Sequence, residues 1–198
     1  MPTSGRPTLA KSSVRIIAGR WRGRRIRVPS VPGLRPTTDR VRETLFSWLA
    51  GELSGARCAD LCAGSGALGL EALSRGAHHV TFVERDRRAL EHIRTTLATL
   101  GAEAEASCVR DDALRWILRT KRGEGFGIVF VDPPYASRLA SDVLALIASH
   151  RLVVPGGLVY LEHGLAQSPR IPEPLEIWRS KRAGQSRFLL LRNPPLPG

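Results

Sequence analysis

The sequence predicts an α/β fold: a mostly parallel seven-stranded sheet with an antiparallel edge, helices on both faces, and a β-hairpin extension at the N-terminus. Three observations predict it. From residue 58 onward, short apolar runs alternate strictly with amphipathic stretches, the pattern of right-handed strand–helix–strand crossovers. A glycine-rich segment lies where the first of these strands gives way to a helix. Two late apolar runs, Leu175–Trp178 and Arg187–Leu191, are close enough in sequence to pair antiparallel at one edge. At 198 residues the chain can bury one substantial core.

Residues 1–13, rich in Pro, Ser, Thr and Gly, are expected to form a flexible tail. Residues 14–37 form a basic hairpin and connector. Val14–Ala18 and Arg24–Val28 are its two arms, with Gly19-Arg20-Trp21-Arg22-Gly23 as the tip, and Pro29, Pro32 and Pro36 mark the irregular connector. The main domain, 38–198, opens with a helix over Asp39–Leu53, in which Val41, Leu45, Trp48 and Leu49 recur at helical spacing. Strands are expected at Cys58–Cys62, Val80–Glu84, Ala104–Val109, Gly127–Asp132 and Leu158–Glu162. Helices are expected at Leu68–Arg75, Arg87–Leu100, Asp112–Lys121 and Leu139–His150.

Hydrophobic residues at 42% and charged residues at 24% exclude a mainly disordered chain. No apolar run approaches a membrane span and no signal-like stretch opens the chain, so a cytoplasmic protein without membrane contact is expected. Cys58, Cys62 and Cys108 match neither a disulfide framework nor a zinc pattern. His78, His79, His92, His150 and His163 add no ligand spacing, so no metal is expected. The net charge of +12 is concentrated at the ends. Residues 1–43 carry 11 Lys/Arg against 2 Asp/Glu, residues 44–178 carry 14 against 16, and residues 179–198 carry 5 against none. Basic ends around a neutral middle suit a phosphate-bearing partner better than they suit general solvation.

Asp60-Leu61-Cys62-Ala63-Gly64-Ser65-Gly66-Ala67-Leu68-Gly69 contains G-x-G-x-x-G. Glycine serves there because the chain turns sharply and its backbone comes close to a ligand. Glu84 stands 20 residues after Gly64, at the tip of the next strand, placed to accept the hydroxyl hydrogens of an adenosine ribose. After the third strand, Asp112 of Asp111-Asp112-Ala113 could accept an adenine amine, cap the following helix, or do both. These features indicate an adenosine ligand without distinguishing a nicotinamide cofactor from S-adenosylmethionine.

The fourth strand runs into Asp132-Pro133-Pro134-Tyr135. Consecutive prolines stiffen the turn and leave its carbonyls free to face a crevice. An exocyclic aromatic amine is a poor nucleophile because its lone pair is delocalised. Acceptance of its two N–H bonds by the Asp132 carboxylate and the Pro133 carbonyl would hold the nitrogen toward tetrahedral geometry, aimed at a methyl donor, while Tyr135 stacks on the flipped-out base. Three other readings remain open: a nicotinamide-dependent oxidoreductase, a DNA adenine-N6 or cytosine-N4 methyltransferase, and a non-catalytic RNA-binding assembly factor.

Two further segments are distinctive: Arg15-Ile16-Ile17-Ala18-Gly19-Arg20-Trp21-Arg22-Gly23-Arg24 and Leu34-Arg35-Pro36-Thr37-Thr38-Asp39-Arg40-Val41-Arg42-Glu43-Thr44-Leu45-Phe46. With Asp60–Ala77 and the Asp132–Tyr135 turn, the sequence resembles the RsmD family of 16S rRNA guanine-N2 methyltransferases over residues 14–192. The resemblance implies a Rossmann-like class I methyltransferase fold. It also implies S-adenosyl-L-methionine as cofactor, and a guanine of 16S rRNA in the small ribosomal subunit as substrate of a monomeric enzyme. Carried over residue by residue, Asp60, Ala63, Gly64, Ser65, Gly66, Glu84, Arg85, Asp112 and Ala113 would hold the cofactor, with Arg35 and Thr37 at its methionine end. Arg15, Arg20, Arg22, Arg24, Arg25, Arg40 and Arg42 would contact RNA phosphates, and Trp21 would offer a stacking face. The sequence departs from the family pattern at Cys62, where an aromatic is usual, and around Thr95 and Thr96, where an asparagine is usual.

Overall fold

The computed structural model describes residues 13–28, 38–133 and 139–195. A two-stranded ribbon, β1 (Ser13–Arg15) and β2 (Arg25–Arg27), precedes α1 (Asp39–Trp48). The main sheet then forms from β3 (Arg57–Asp60), β4 (His79–Val83), β5 (Ala106–Val109), β6 (Phe126–Val131), β7 (Val153–Gly164), β8 (Glu176–Ala183) and β9 (Ser186–Arg192). Its order is β5-β4-β3-β6-β7-β9-β8. The first five strands are parallel, and β9 runs antiparallel between β7 and β8. Helices α2 (Ala67–Ser74), α3 (Arg87–Leu100), α4 (Ala113–Arg119) and α5 (Leu139–Ser149) fill the crossovers.

The expected architecture is therefore present, with several boundaries corrected, among them the strand expected over Leu175–Trp178, which spans Glu176–Ala183. The helix expected to Leu53 stops at Trp48, where the chain turns through Gly51 at φ +92°. A 3-10 turn over Glu103–Glu105 occupies the start of the strand expected from Ala104. The strand expected over Leu158–Glu162 begins at Val153 and continues to Gly164.

Strand alternation divides the core into two layers. Cys58, Phe82, Phe130, Tyr160 and Phe188 face α1, α2 and α3, where they meet Leu45, Phe46, Leu70 and Ile93. Ala59, Val83, Val129, Leu161 and Leu189 face the opposite side, against Ile117 of α4 and Val143, Leu144 and Ile147 of α5. At Gly69 a Cβ would lie 2.2 Å from Phe82 Cε1, so the third glycine of the loop lets α2 pack closely on β4.

The N-terminal ribbon is docked along α2. Val14 and Val28, at its base, pack on Ala67 at the start of that helix. Its tip meets the helix end: Arg20 N donates to Ser74 O (2.8 Å), Trp21 N donates to Ser74 Oγ (3.1 Å), and a Cβ at Gly19 would overlap the Ser74 carbonyl. Between them, buried Glu71 accepts from Ile17 N (2.8 Å), Ala18 N (3.0 Å) and Arg75 Nε (2.7 Å), and faces Arg42 Nη1 at 3.5 Å. One carboxylate thus joins ribbon, α2 and α1.

Candidate cofactor and catalytic site

Every parallel strand ends at the same sheet edge, where the candidate residues gather. β3 ends at Asp60, and the loop that follows is tied to both neighbouring strands: Leu61 N donates to Phe130 O (3.0 Å) and Ala63 N to Val83 O (3.2 Å). Gly64 and Gly66 take φ values of +53° and +77°, a left-handed conformation that glycine adopts without steric cost. Gly66 is the N-cap of α2 and has no side chain to satisfy the first-turn amides. Asp60 supplies the missing acceptor from the strand, its Oδ2 accepting from Gly69 N at 3.1 Å. Its Oδ1 is buried and, among the described residues, has no hydrogen-bond partner. Burial pushes the Asp60 carboxyl up to about 7; the Gly69 amide pulls it down and the charge of Glu84 raises it further.

Glu84 follows β4 and grips the loop, accepting from Gly64 N through Oε2 and from Asp86 N through Oε1, both at 2.8 Å. This geometry differs from that of a solvated strand-end charge. Asp112 caps α4, accepting from Leu114 N (3.0 Å) and Arg115 N (3.4 Å). Asp132 directly follows β6 and is half-buried, with Pro133 buried beside it. Cys62 follows β3 in the same loop: burial first, then the charges of Asp60, Glu84, Asp132 and Asp112, push its thiol well above the ordinary range. The thiol is therefore small and neutral where the sequence departs from the pattern it resembles.

The edge thus brings together Asp60, Ala63, Gly64, Ser65, Gly66, Glu84, Asp112, Ala113, Asp132 and Pro133, while Arg85 is exposed beside it. Arg35, Thr37, Pro134 and Tyr135 lie outside the described residues. Among the RNA candidates, Arg15, Arg22, Arg24, Arg25 and Arg40 are exposed. Arg20 stacks over Trp21 (4.0 Å) and pairs with Glu105. Two expectations are corrected. Trp21 is only 8% exposed because it packs into the core beside α2, so it presents no stacking face. Arg42 is fully buried, held by Arg15 O (2.7 Å), Asp39 (2.6 Å) and Glu71, and serves as an internal tie, not a phosphate contact. The sequence reading passed over Glu71, although an acid within the apolar run Ala67–Leu73 signalled it. Arg27 was also passed over; the alternation Arg25-Ile26-Arg27 puts it on the exposed ribbon face with Arg15 and Arg25.

A glycine loop, a tip carboxylate on the neighbouring strand and an Asp-Pro turn on this strand order define a methyltransferase fold of class I. Comparison with known proteins agrees. A family model described as Conserved hypothetical protein 95 matches residues 14–192. Ribosomal RNA small subunit methyltransferase D of Escherichia coli K12 is 44% identical over 178 residues, covering 89% of this chain and 88% of that protein. The solved structure of E. coli yhhF superposes with a TM-score of 0.82 at 42% identity, covering 93% of this chain and 99% of that one. An RNA methyltransferase from Salinibacter ruber, solved with S-adenosyl-L-homocysteine, shares the fold at a TM-score of 0.62 and 14% identity, over 82% of this chain and 97% of that one. The chain belongs to the Conserved hypothetical protein 95 family, as its resemblance to the RsmD methyltransferases implies.

Proposed function

We propose that this chain transfers a methyl group from S-adenosyl-L-methionine to the N2 amine of a guanine in 16S rRNA, acting as a cytoplasmic monomer on the small ribosomal subunit. The observation that carries the reading is that neighbouring parallel strands deliver Asp60, Glu84, Asp112 and Asp132 to one sheet edge beside the glycine loop, where Glu84 accepts from Gly64 N and Asp60 from Gly69 N. The cofactor, when bound, supplies an electrophilic methyl group on a sulfonium centre.

The residues present fit such a ligand. The buried, partnerless Asp60 Oδ1 calls for a donor, which an ammonium group at the methionine end would provide. Glu84 already touches the loop, and each of its oxygens retains acceptor capacity for ribose hydroxyls. Asp112 and Ala113 open α4 where an adenine would lie. The same geometry counts against a nicotinamide dinucleotide. A diphosphate needs the loop and helix amides, but the amides of Gly64 and Gly69 already serve carboxylates, and four acids would repel its charge. A cationic ligand matches this site.

Asp132 and the Pro133 carbonyl would then accept the two N–H bonds of the guanine amine, orienting its lone pair and stabilising the positive charge that develops on nitrogen; as the N–C bond forms and the S–C bond breaks, the amine proton held by Asp132 passes to its carboxylate. Pro134 and Tyr135 lie outside the described residues, and their parts here, stiffening and base stacking, rest on the sequence alone. The reading of rRNA as substrate, over DNA, is supported by the name of the E. coli relative and by the N-terminal segments that resemble the RsmD family. Asp132→Asn is the test. The variant should bind S-adenosylhomocysteine like the wild type yet transfer methyl groups to small subunits at least on the order of 100-fold more slowly. Transfer within a few-fold of wild type would refute the catalytic role.

A further inference from the structure

The hairpin β8–β9 at the far edge of the sheet carries charge that no contact within the described residues explains. Its register sets Arg182 directly opposite Arg187, with Lys181 opposite Phe188. Like charges facing each other across an antiparallel pair destabilise it. All three cations are exposed, and among the described residues none of them has a salt bridge. Arg182 Nε donates to the Gly184 carbonyl of the turn (3.2 Å), which points its guanidinium toward the hairpin end. No residue from 177 to 198 is acidic.

The position of this hairpin gives the charge a use. β7 runs parallel to β6, so its last residues, His163 and Gly164, lie at the edge where β6 delivers Asp132. These residues pair with Arg187 and Ser186 of β9. The β8–β9 turn therefore projects at the catalytic edge, two to three strands beyond β6, a span of about 10–14 Å. The N-terminal ribbon, with Arg15, Arg25 and Arg27 exposed, lies on the other side, along α2.

We infer that Arg182 and Arg187 form a second phosphate-contacting surface, so that the RNA substrate is held on both sides of Asp132. Two opposed guanidiniums make a fork for a phosphate oxygen pair, and an RNA backbone would relieve the repulsion that the hairpin bears alone. The inference rests on the rRNA reading proposed above.

Two variants test it: Arg182→Gln/Arg187→Gln, and Arg182→Glu, which places an opposite charge against Arg187. Binding to protein-free 16S rRNA is measured against salt concentration, beside steady-state methyl transfer to small subunits and thermal unfolding. The double variant should bind RNA about tenfold more weakly, lower the log–log salt slope by about two, and raise KM with kcat unchanged. Arg182→Glu should weaken binding at least as much while its melting temperature stays equal or rises, a pairing of effects that a merely structural role would not give. Wild-type affinity and salt slope in both variants would overturn the inference while leaving methyl transfer intact. Weakened action on intact subunits with unchanged binding to bare RNA would assign the surface to a ribosomal protein and overturn it too. Failure of the wild type to bind or methylate rRNA would remove the functional reading and this surface together.

Discussion

In the proposed function, one side chain, Asp60, serves fold and ligand at once. One oxygen stands in for the N-cap that Gly66 lacks, and the other is left buried without a donor. Its carboxyl is raised from 3.8 to about 7 by burial, so the folded, ligand-free protein holds this proton more tightly than the unfolded chain. The unfolded state therefore binds fewer protons between about pH 4 and pH 7, and stability should fall as pH rises through that window, then level off. A cationic ligand should reverse the preference. Affinity for S-adenosylhomocysteine should tighten as pH rises toward and through 7, and Asp60→Asn should flatten both profiles. Calorimetric titration and thermal unfolding across pH 5–8 check this, and a pH-independent affinity in the wild type would contradict it.

At this scale the sequence was legible where spacing alone fixes position. Gly64, Gly66 and Glu84 stand at the turn and strand tip that their spacing assigns them, because such features have few places to go. Arg42 and Trp21 were misread because an arginine or a tryptophan looks the same in sequence whether it faces solvent or a buried glutamate and a helix. Only the fold supplies those partners.

Among the elements, α2 organises the site. It starts at the cofactor loop, carries the ribbon along its length, and holds α1 through Glu71 and Arg42. Removing one partner of a fully buried ion pair leaves an uncompensated charge, which costs about 3–5 kcal/mol. Glu71→Ala should therefore destabilise the protein by about that amount and expose the ribbon to protease. Pairing it with Arg42→Met should restore part of the loss, as read by denaturant unfolding. A change below about 1 kcal/mol would show that the ribbon is held by other contacts.

Element types were legible throughout because apolar periodicity survives folding; boundaries were less so. Pro155-Gly156-Gly157 reads as a break, yet β7 continues through it. There Gly156 takes φ +81°, its N–H donates to Asn193 O at 2.7 Å, and the Asn193 side chain donates to the Val153 and Val154 carbonyls, both at 3.0 Å. A long-range partner rescues a segment that local chemistry would end.

For the whole molecule, the charge layout matches the chemistry. The cofactor end is acidic and the two flanking hairpins are basic, so a cationic donor and a polyanionic acceptor approach one edge without competing for the same charges. S-adenosylhomocysteine at about 100 times its Kd should stabilise the fold by about 2.7 kcal/mol, a melting shift of roughly 5–10 °C, while NAD at equal concentration should give none. A shift with NAD alone would return the fold to the oxidoreductases.

Most direct is methyl transfer from labelled S-adenosylmethionine to small ribosomal subunits that lack the modification, followed by digestion and nucleoside analysis. The account predicts label recovered as N2-methylguanosine from 16S rRNA. Label in N6-methyladenosine or N4-methylcytosine, or incorporation into DNA with none in the subunits, would contradict it.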